Sequence, residues 1–113
     1  MDELDKIRIK HMIDASEEAL SFVQGKVRND LNSNRMLVLS IIKEIEIIGE
    51  AASKISKITS QKYSDIPWQD VIGMRNKLIH GYFEVDLDIV WMTISDDIPR
   101  LLSVLKKVIQ ADQ

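Results

Sequence analysis

The sequence predicts an all-α fold, an antiparallel up-down bundle of four main helices. Apolar residues recur at spacings of three and four along most of the chain, which is typical of helices with one buried face. Only four glycines and two prolines occur in 113 residues, so the connections are short. The chain is 45% hydrophobic and 29% charged, as in an ordinary soluble domain. We therefore expect one domain that covers residues 1–113.

The first helix is predicted to start after Asp2, whose side chain can cap free N–H groups, and to run to about Lys26. It carries two apolar stripes on nearly opposite sides. A helix of this kind is usually covered on both sides, here by the bundle and by either a further helix or another subunit. His11 falls in the second stripe, and we interpret it as a packing or interface residue. The first stripe is Ile9, Met12, Ile13, Ser16, Leu20, Val23 and Val27; the second is Leu4, Ile7, His11, Ala15 and Phe22.

A polar connection, Gly25–Ser33, that has room for a short helical turn leads to the second helix, predicted from about Asn34 to Lys57. Its apolar stripe is the widest in the chain, so this helix should be central and most buried. Two interpretations of its acidic residues are open: they form a solvated charged face, or one of them pairs with a cation on another helix. The candidates for such a partner are Glu44, Glu46 and Glu50.

After a predicted loop at Ile58–Ile66, the third helix should extend from about Pro67 to His80. Proline fits the first turn of a helix because its missing N–H would be unpaired there, and Gly81 can terminate the helix in a left-handed conformation. The last helix should be capped by Asp86 or Asp88 and bent near Ser95, because Pro99 cannot donate a backbone hydrogen bond. A short extended piece, Phe83–Val85, would join the two helices.

Arg75 stands out within the third helix. At about 100° per residue, several apolar side chains fall within about 60° of it, which predicts that Arg75 lies in the apolar stripe. A charged group placed there needs a carboxylate, backbone carbonyls or a bound anion. An ion pair with a glutamate and recognition of a phosphate are both compatible with the pattern. The apolar neighbours are Trp68, Val71, Ile72, Leu78 and Ile79.

His80 follows five positions later, at the predicted end of the same helix. In the last turn the helix dipole would favour its charged imidazolium, and the side chain could also cap terminal carbonyls. On an ideal helix it would point about 140° away from Arg75. The two groups can converge only if Gly81 turns the chain there or if a second subunit brings its own copy alongside.

Charge and composition restrict the function classes. A net charge of −3 and a pI of about 5.3 argue against non-specific coating of nucleic acid, so an RNA substrate would have to be gripped locally. The chain contains no cysteine, which excludes disulfides, thiol chemistry and cysteine-ligated zinc. No secretion signal starts the sequence and no apolar run approaches the ~20 residues of a membrane span. We expect a cytoplasmic protein without a membrane partner.

The run R-N-K-L-I-H-G-Y, from Arg75 to Tyr82, resembles the R-x4-H-x-Y signature of the HepT-like toxins, ribonucleases of the HEPN superfamily, with the polar Asn76 after the arginine. Three further runs are similar to family segments in the family's order: H-M-I-D-A-S-E-E-A-L, E-I-I-G-E-A-A and I-P-W-Q-D-V-I-G-M-R-N. The resemblance covers the chain from about Leu4 to Ile109. It implies a HEPN-like bundle and a homodimer whose cleft cuts RNA without a metal ion or cofactor.

The residues fit that chemistry in outline. Attack by a ribose 2′-OH needs a proton acceptor, the leaving oxygen needs a donor, and the phosphorane needs positive charge. Arg75 can supply the charge and His80 one proton-transfer group, while two facing copies of His80 would supply both. Tyr82 is a poor base at its ordinary pKa of about 10, so it holds the phosphate or packs, and Asn76 has a supporting role.

The resemblance also implies a partner. HepT-like toxins pair with a small MNT-type nucleotidyltransferase antitoxin that transfers AMP onto the tyrosine of the motif, here Tyr82. The added bulk and negative charge would block the place of the RNA phosphate. The alternative function is a non-catalytic module that binds and regulates a nucleotidyltransferase. We favour the ribonuclease because Arg75, Asn76, His80 and Tyr82 are all present.

Overall fold

The computed structural model describes residues 1–80 and 84–112, and helices make up most of this part of the chain. The all-α class and the bundle architecture are confirmed. The α-helices are α1 (Glu3–Phe22), α2 (Asp30–Ser33), α3 (Arg35–Ser53), α4 (Lys57–Lys62), α5 (Trp68–Ile72), α6 (Leu87–Met92) and α7 (Ile98–Ala111). Between them lie a 3-10 turn (Met74–Lys77), the strands β1 (Ile79–His80) and β2 (Glu84–Val85), and a π-helical turn (Thr93–Asp97). No helix in the described ranges has both the length and the apolar character that a membrane crossing requires.

Helices α1 and α3 pack side by side and run in opposite directions. The Arg8 guanidinium at the start of α1 lies 3.5 Å from the backbone oxygen of Lys54 at the end of α3. Nearby, the buried Asp5 carboxylate accepts hydrogen bonds from the Ser56 backbone N–H, at 3.0 Å, and the Thr59 hydroxyl, at 2.6 Å. Burial alone would raise the pKa of Asp5, but the hydrogen bonds from Ser56 and Thr59 lower it below its ordinary value. Asp5 therefore fastens α4 to the first helix.

The first two long helices start where predicted and end earlier. Asp2 accepts a hydrogen bond from the Asp5 N–H, so the predicted cap is confirmed, and Asn34, predicted only as the start of the second helix, caps α3 by accepting from the Leu37 N–H. Helix α1 ends at Phe22 instead of Lys26, and Gly25 then takes a left-handed φ of 75° that turns the chain away. The predicted turn in the next connection is α2.

The second long helix ends at Ser53 and not at Lys57, because the Ser56 hydroxyl caps a new helix by accepting from the Thr59 N–H. The prediction of a loop over 58–66 was therefore wrong in its first half, which is α4.

The predicted continuous helix from Pro67 to His80 is wrong. Helix α5 ends at Ile72, with Gly73 as its C-cap, and the chain tightens into the 3-10 turn before it extends as β1. Strand β1 pairs antiparallel with β2, with Ile79 opposite Val85 and His80 opposite Glu84. The backbone groups of Ile79 and His80 thus find partners outside a helix, which local periodicity does not indicate.

Two predictions for the last helical region agree with the structure, an aspartate cap at its start and an irregularity before Pro99. Asp86 caps α6 by accepting from the Ile89 N–H at 3.1 Å, so Asp86 rather than Asp88 is the cap. Pro99 cannot donate to the carbonyl of Ser95. The irregularity falls directly before it, in the π-helical turn, where the Ile98 N–H bonds to the Thr93 oxygen.

Helix α3 is the centre of the core. Its residues Ile41, Ile45 and Ile48 are fully buried, and the helix packs against α1, α2, α5, α6 and the 3-10 turn. At Gly49 it passes so close to α5 that an added Cβ would lie 3.2 Å from the backbone oxygen of Ile72. The missing side chain lets α5 sit directly on α3, which sets the position of everything that follows α5.

Candidate active site

The run from Gly73 to Tyr82 is called the motif segment below. In its described part, residues 73–80, apolar side chains pack against the core and polar side chains point to solvent. Met74 and Leu78 are buried, whereas Arg75, Asn76 and His80 are exposed. Arg75 was predicted to lie in an apolar stripe, and this prediction is wrong. The chain no longer follows an α-helix there, so the angles of the α-helical wheel do not apply.

Arg75 nevertheless forms the ion pair with a glutamate of the second long helix that was one of its two predicted roles. Its Nε lies 3.1 Å from Oε1 of Glu46, whose Oε2 is 3.9 Å from Nζ of Lys43. Both members of the pair are partly exposed, at 48% and 37%, so it contributes at most about 1 kcal/mol to stability. The ion pair instead fixes the orientation of the guanidinium. Glu46 binds Nε and leaves the two terminal nitrogens of Arg75 without an ion pair among the described residues.

The other two candidate glutamates have different surroundings. Glu50 pairs with Lys54 at 3.3 Å on its own helix. Glu44 is 4% exposed, and its Oε2 has no hydrogen-bond partner among residues 1–80 and 84–112. Burial and the neighbouring Glu18 carboxylate raise the pKa of Glu44 to about 7. Of the three, only Glu46 serves Arg75.

His80 lies on strand β1 and is 63% exposed. It is therefore not a helix cap, and its predicted position in the last turn of a helix is wrong. Its Nε2 is 3.5 Å from Oδ2 of Asp86, an ion pair when the imidazole is protonated. Asp86 is itself fixed, since its Oδ1 caps α6 and its N–H donates to the Leu78 oxygen at 2.8 Å. A rigid carboxylate thus faces the imidazole.

Asp86 was predicted only as a cap, and its position beside His80 was missed. The pairing of Ile79 with Val85 and of His80 with Glu84 brings residue 86 back to residue 78, and no periodicity in the sequence indicates this pairing. Tyr82 and Gly81 lie outside the described residues. The Asn76 side chain is exposed and makes no hydrogen bond within the described part of the chain. No group of three or more metal-binding side chains occurs among the residues that the structure describes.

A shallow cavity of about 590 Å³ lies on the α1–α3 surface next to Glu46. Its lining includes Ile47 of α3 and three residues from the second apolar stripe of α1, namely Leu4, Ile7 and His11. Leu4 is 61% and Ile7 41% exposed, whereas Ala15 of the same stripe is buried. Since Glu46 lines the cavity and also holds Arg75, the exposed apolar surface reaches the candidate site.

Comparisons with known proteins point to one family. A family model described as ribonuclease HepT-like matches residues 12–108. A protein of Caldanaerobacter subterraneus, provisionally named as an RNase, is 34% identical over 93% of this chain and 94% of its own length. "Probable ribonuclease HepT" of Thermococcus cleftensis is 32% identical over 88% and 94% of the two chains. A provisionally named RNase of Methanocaldococcus jannaschii is 35% identical over 83% and 81%. No solved structure matches the chain.

Proposed function

Because this chain belongs to the HepT-like ribonuclease family and is an endoribonuclease, we propose that it is a single-domain toxin that cuts RNA in a cleft shared by two identical subunits. Arg75 and His80 are the catalytic residues, and Asn76 and Tyr82 bind or position the substrate. The observation that carries the proposal is that the motif segment presents Arg75 and His80 to solvent while each faces a carboxylate of another element.

Arg75 stabilises the negative charge that builds up on the phosphate. A guanidinium binds phosphate oxygens through two parallel N–H donors, and Glu46 engages only Nε, which leaves the terminal nitrogens for that contact. The charge is most negative in the pentacoordinate transition state, so this contact strengthens as the 2′-oxygen attacks. Lys43 on the far side of Glu46 keeps the glutamate from neutralising the arginine fully.

His80 performs proton transfer. One imidazole takes the proton of the 2′-hydroxyl, a second one protonates the leaving 5′-oxygen, and the products are a 2′,3′-cyclic phosphate and a 5′-hydroxyl. Two subunits that face each other supply the two imidazoles. Asp86 acts as a positioning residue, since its carboxylate orients the ring and stabilises the imidazolium formed in the first transfer.

The dimer is supported by the exposed apolar surface of α1 and α3. Leu4, Ile7 and Ile47 lie on it, and monomeric soluble proteins rarely leave such stripes uncovered. A two-fold axis near this surface would bring two copies of Glu46, and with them two copies of Arg75, to one interface. The proposal places the RNA cleft there. It uses only side-chain groups and requires neither a metal ion nor a cofactor.

The cleavage chemistry can be tested directly. Wild-type protein incubated with single-stranded RNA in EDTA should cut at the rate measured in Mg²⁺, since arginine and histidine perform every step. The products should carry 2′,3′-cyclic phosphate and 5′-hydroxyl ends, identified by mass spectrometry. An RNA with a 2′-deoxy sugar at the cut position should resist. Loss of cleavage in EDTA, or products with 5′-phosphate ends, would contradict the proposed mechanism.

Arg75 substitutions test the role of the guanidinium. Arg75→Ala should lower kcat about a hundredfold, because the transition-state charge loses its strongest donor. Arg75→Lys should lower it about tenfold, since an ammonium keeps the charge and loses the planar fork. Arg35→Lys on the distant start of α3 is the matched control and should cut like the wild type. Equal rates for Arg75→Lys and the wild type would show that a positive charge alone stabilises the transition state and would contradict a role for the planar fork.

The proposed regulation is AMP transfer to Tyr82 by a cognate MNT-type nucleotidyltransferase antitoxin in the cytoplasm. It is supported by the family resemblance of the motif that contains Tyr82. Co-expression with such a transferase should add the mass of one AMP to the peptide that contains Tyr82 and abolish RNA cleavage. Tyr82→Phe should stay unmodified, and Tyr63→Phe, which changes the other tyrosine, should be modified normally. Modification at Tyr63, or full activity of the modified protein, would refute this regulation.

A further inference from the structure

A second and larger cavity, a groove of about 780 Å³, opens beside the motif segment on the side of the last helices. Lys77, His80 and the carboxylates of Asp65 and Asp70 line it on one side, and Met92, Thr93, Asp97 and Arg100 line it on the other. His80 therefore stands at the boundary between the groove and the site proposed for RNA cleavage. An extended RNA strand whose phosphate lies against His80 would reach the groove with its next nucleotide.

The wall of the groove owes its shape to the π-helical turn. This turn inserts an extra residue ahead of Pro99, and two of its residues, Thr93 and Asp97, line the groove. A π-helical turn costs stability relative to a regular helix, and such turns occur frequently at functional sites. Here the turn places the Asp97 carboxylate and, one residue beyond Pro99, the Arg100 guanidinium on the same wall.

The chemistry of the groove suits a nucleobase. Met92, which is 53% exposed, and the partly exposed Ile89 and Val104 provide apolar surface for the faces of a flat ring, above the buried Val71, Met74 and Leu101. The Asp97 carboxylate can accept N–H groups from the edge of the ring. Arg100 makes no ion pair with any residue in the ranges 1–80 and 84–112, so its guanidinium is available for the phosphate of the same nucleotide.

We propose that this groove binds the base of the nucleotide next to the scissile phosphate, with Asp97 on the base edge and Arg100 on its phosphate. The inference rests on the proposed RNA cleavage at His80. It explains how an acidic protein can hold RNA: a few groups around one unstacked base act locally, and no broad basic surface is needed. The substrate class is single-stranded RNA, because a paired base cannot enter a groove.

Binding can be observed without catalysis through the methionine methyl groups. Met74 and Met92 line the groove, whereas Met12 is buried in the core and Met36 is exposed on α3. Methyl-labelled protein is titrated with short single-stranded 2′-O-methyl RNA, which cannot be cut, in four versions that each contain a single base type. The methyl resonances of Met74 and Met92 should shift at saturation more than those of Met12 and Met36, and one base type should bind most tightly. Equal shifts at all four methionines, or none, would overturn the groove as the binding site.

Substitution supplies the second test. Asp97→Asn and Arg100→Gln should each raise KM for RNA about tenfold with little change in kcat, and Asp97→Asn should also change which base flanks the cut sites in sequenced products. The matched controls are Asp96→Asn, one residue from Asp97 and outside the groove, and Arg35→Gln on α3. Both should keep the KM and the cut sites of the wild type.

The two proposals fail in different ways. If wild-type protein cuts RNA and the groove variants behave like their controls, the groove proposal falls while the proposed function stands. If wild-type protein cuts no RNA, the proposed function falls, and the methyl titration still decides whether the groove binds a nucleobase. If the groove variants cut normally but no longer bind the nucleotidyltransferase, the groove is a protein-docking surface and the nucleobase proposal is refuted.

Discussion

Replacement of His80 by alanine is expected to lower kcat for RNA cleavage by about a hundredfold to ten-thousandfold, the range associated with loss of a proton-transfer group. The fold should be unaffected. His80 is 63% exposed, and its ion pair with Asp86 lies at the surface, where such pairs contribute at most about 1 kcal/mol. The measurements are kcat on single-stranded RNA, the thermal midpoint, and the dimer mass by light scattering.

The matched control is His11→Ala, which removes the other histidine of the chain. His11 lines the α1–α3 cavity, where the proposal places the dimer interface and the RNA cleft, but it has no proton-transfer role there, so His11→Ala can change KM or dimer affinity while the kcat of the dimer stays that of the wild type. An His80→Ala variant that is folded, dimeric and as active as the wild type would refute His80 as the catalytic group. It would also revive the alternative role of the motif as a docking site for a nucleotidyltransferase.

Mixed dimers extend this test to the shared cleft. If each cleft needs one imidazole as base and another as acid, a dimer with one wild-type and one His80→Ala subunit should be inactive. Activity should then follow the square of the wild-type fraction, about one quarter when half of the subunits are wild type. A linear dependence would mean that each subunit acts alone.

The long elements could be predicted from the sequence because their signals are local. Asp2, Asn34 and Asp86 each precede a run with helical periodicity, and each caps the helix that follows. Pro99 marked the irregular turn in the last helix, because its missing N–H interrupts the backbone hydrogen bonds of a helix whatever the tertiary structure around it. These features depend on residues at most four positions apart.

The described part of the motif segment could not be predicted in the same way because its structure depends on residues farther along the chain. Ile79 and His80 leave the helical pattern to pair with Glu84 and Val85. A helical wheel that assumes regular geometry therefore placed Arg75 inside and His80 on a helix end, and the structure places both at the surface. The choice of Arg75, Asn76, His80 and Tyr82 as candidate site residues rests on their chemistry and not on the backbone that carries them, and it stays a prediction.

The partner of Arg75 illustrates what periodicity leaves open. Glu44, Glu46 and Glu50 all lie on α3 within two turns, and the sequence offered no ground for choosing among them. The choice depends on how α5 sits on α3, which follows from the close approach at Gly49. That contact sets the side of α3 that the 3-10 turn faces, and Glu46 lies on this side while Glu44 lies in the core.

Glu44→Gln is expected to stabilise the protein at pH 8 by about 3 kcal/mol. In the folded protein, burial and the Glu18 carboxylate raise the pKa of Glu44 to about 7 from an ordinary value of 4.5. Between these two pKa values the unfolded chain releases a proton that the folded protein retains. The free energy of unfolding of the wild type therefore falls as pH rises through this window, by about 1.4 kcal/mol per unit.

Below pH 4.5 both states hold the proton, so the destabilisation is absent there and fully present above pH 7. Glutamine has nearly the same size and cannot ionise, so Glu44→Gln should match the wild type near pH 4.5 and exceed it increasingly up to pH 8. Denaturant unfolding at fixed protein concentration measures the difference across this range. Glu18→Gln removes one of the two causes of the raised pKa of Glu44 and should therefore give a smaller change in unfolding free energy, with the same sign. Glu17→Gln, on the exposed side of α1, should leave the unfolding free energy unchanged. An unfolding free energy of Glu44→Gln that runs parallel to the wild type from pH 4.5 to 8 would mean that the buried carboxyl does not titrate in this window.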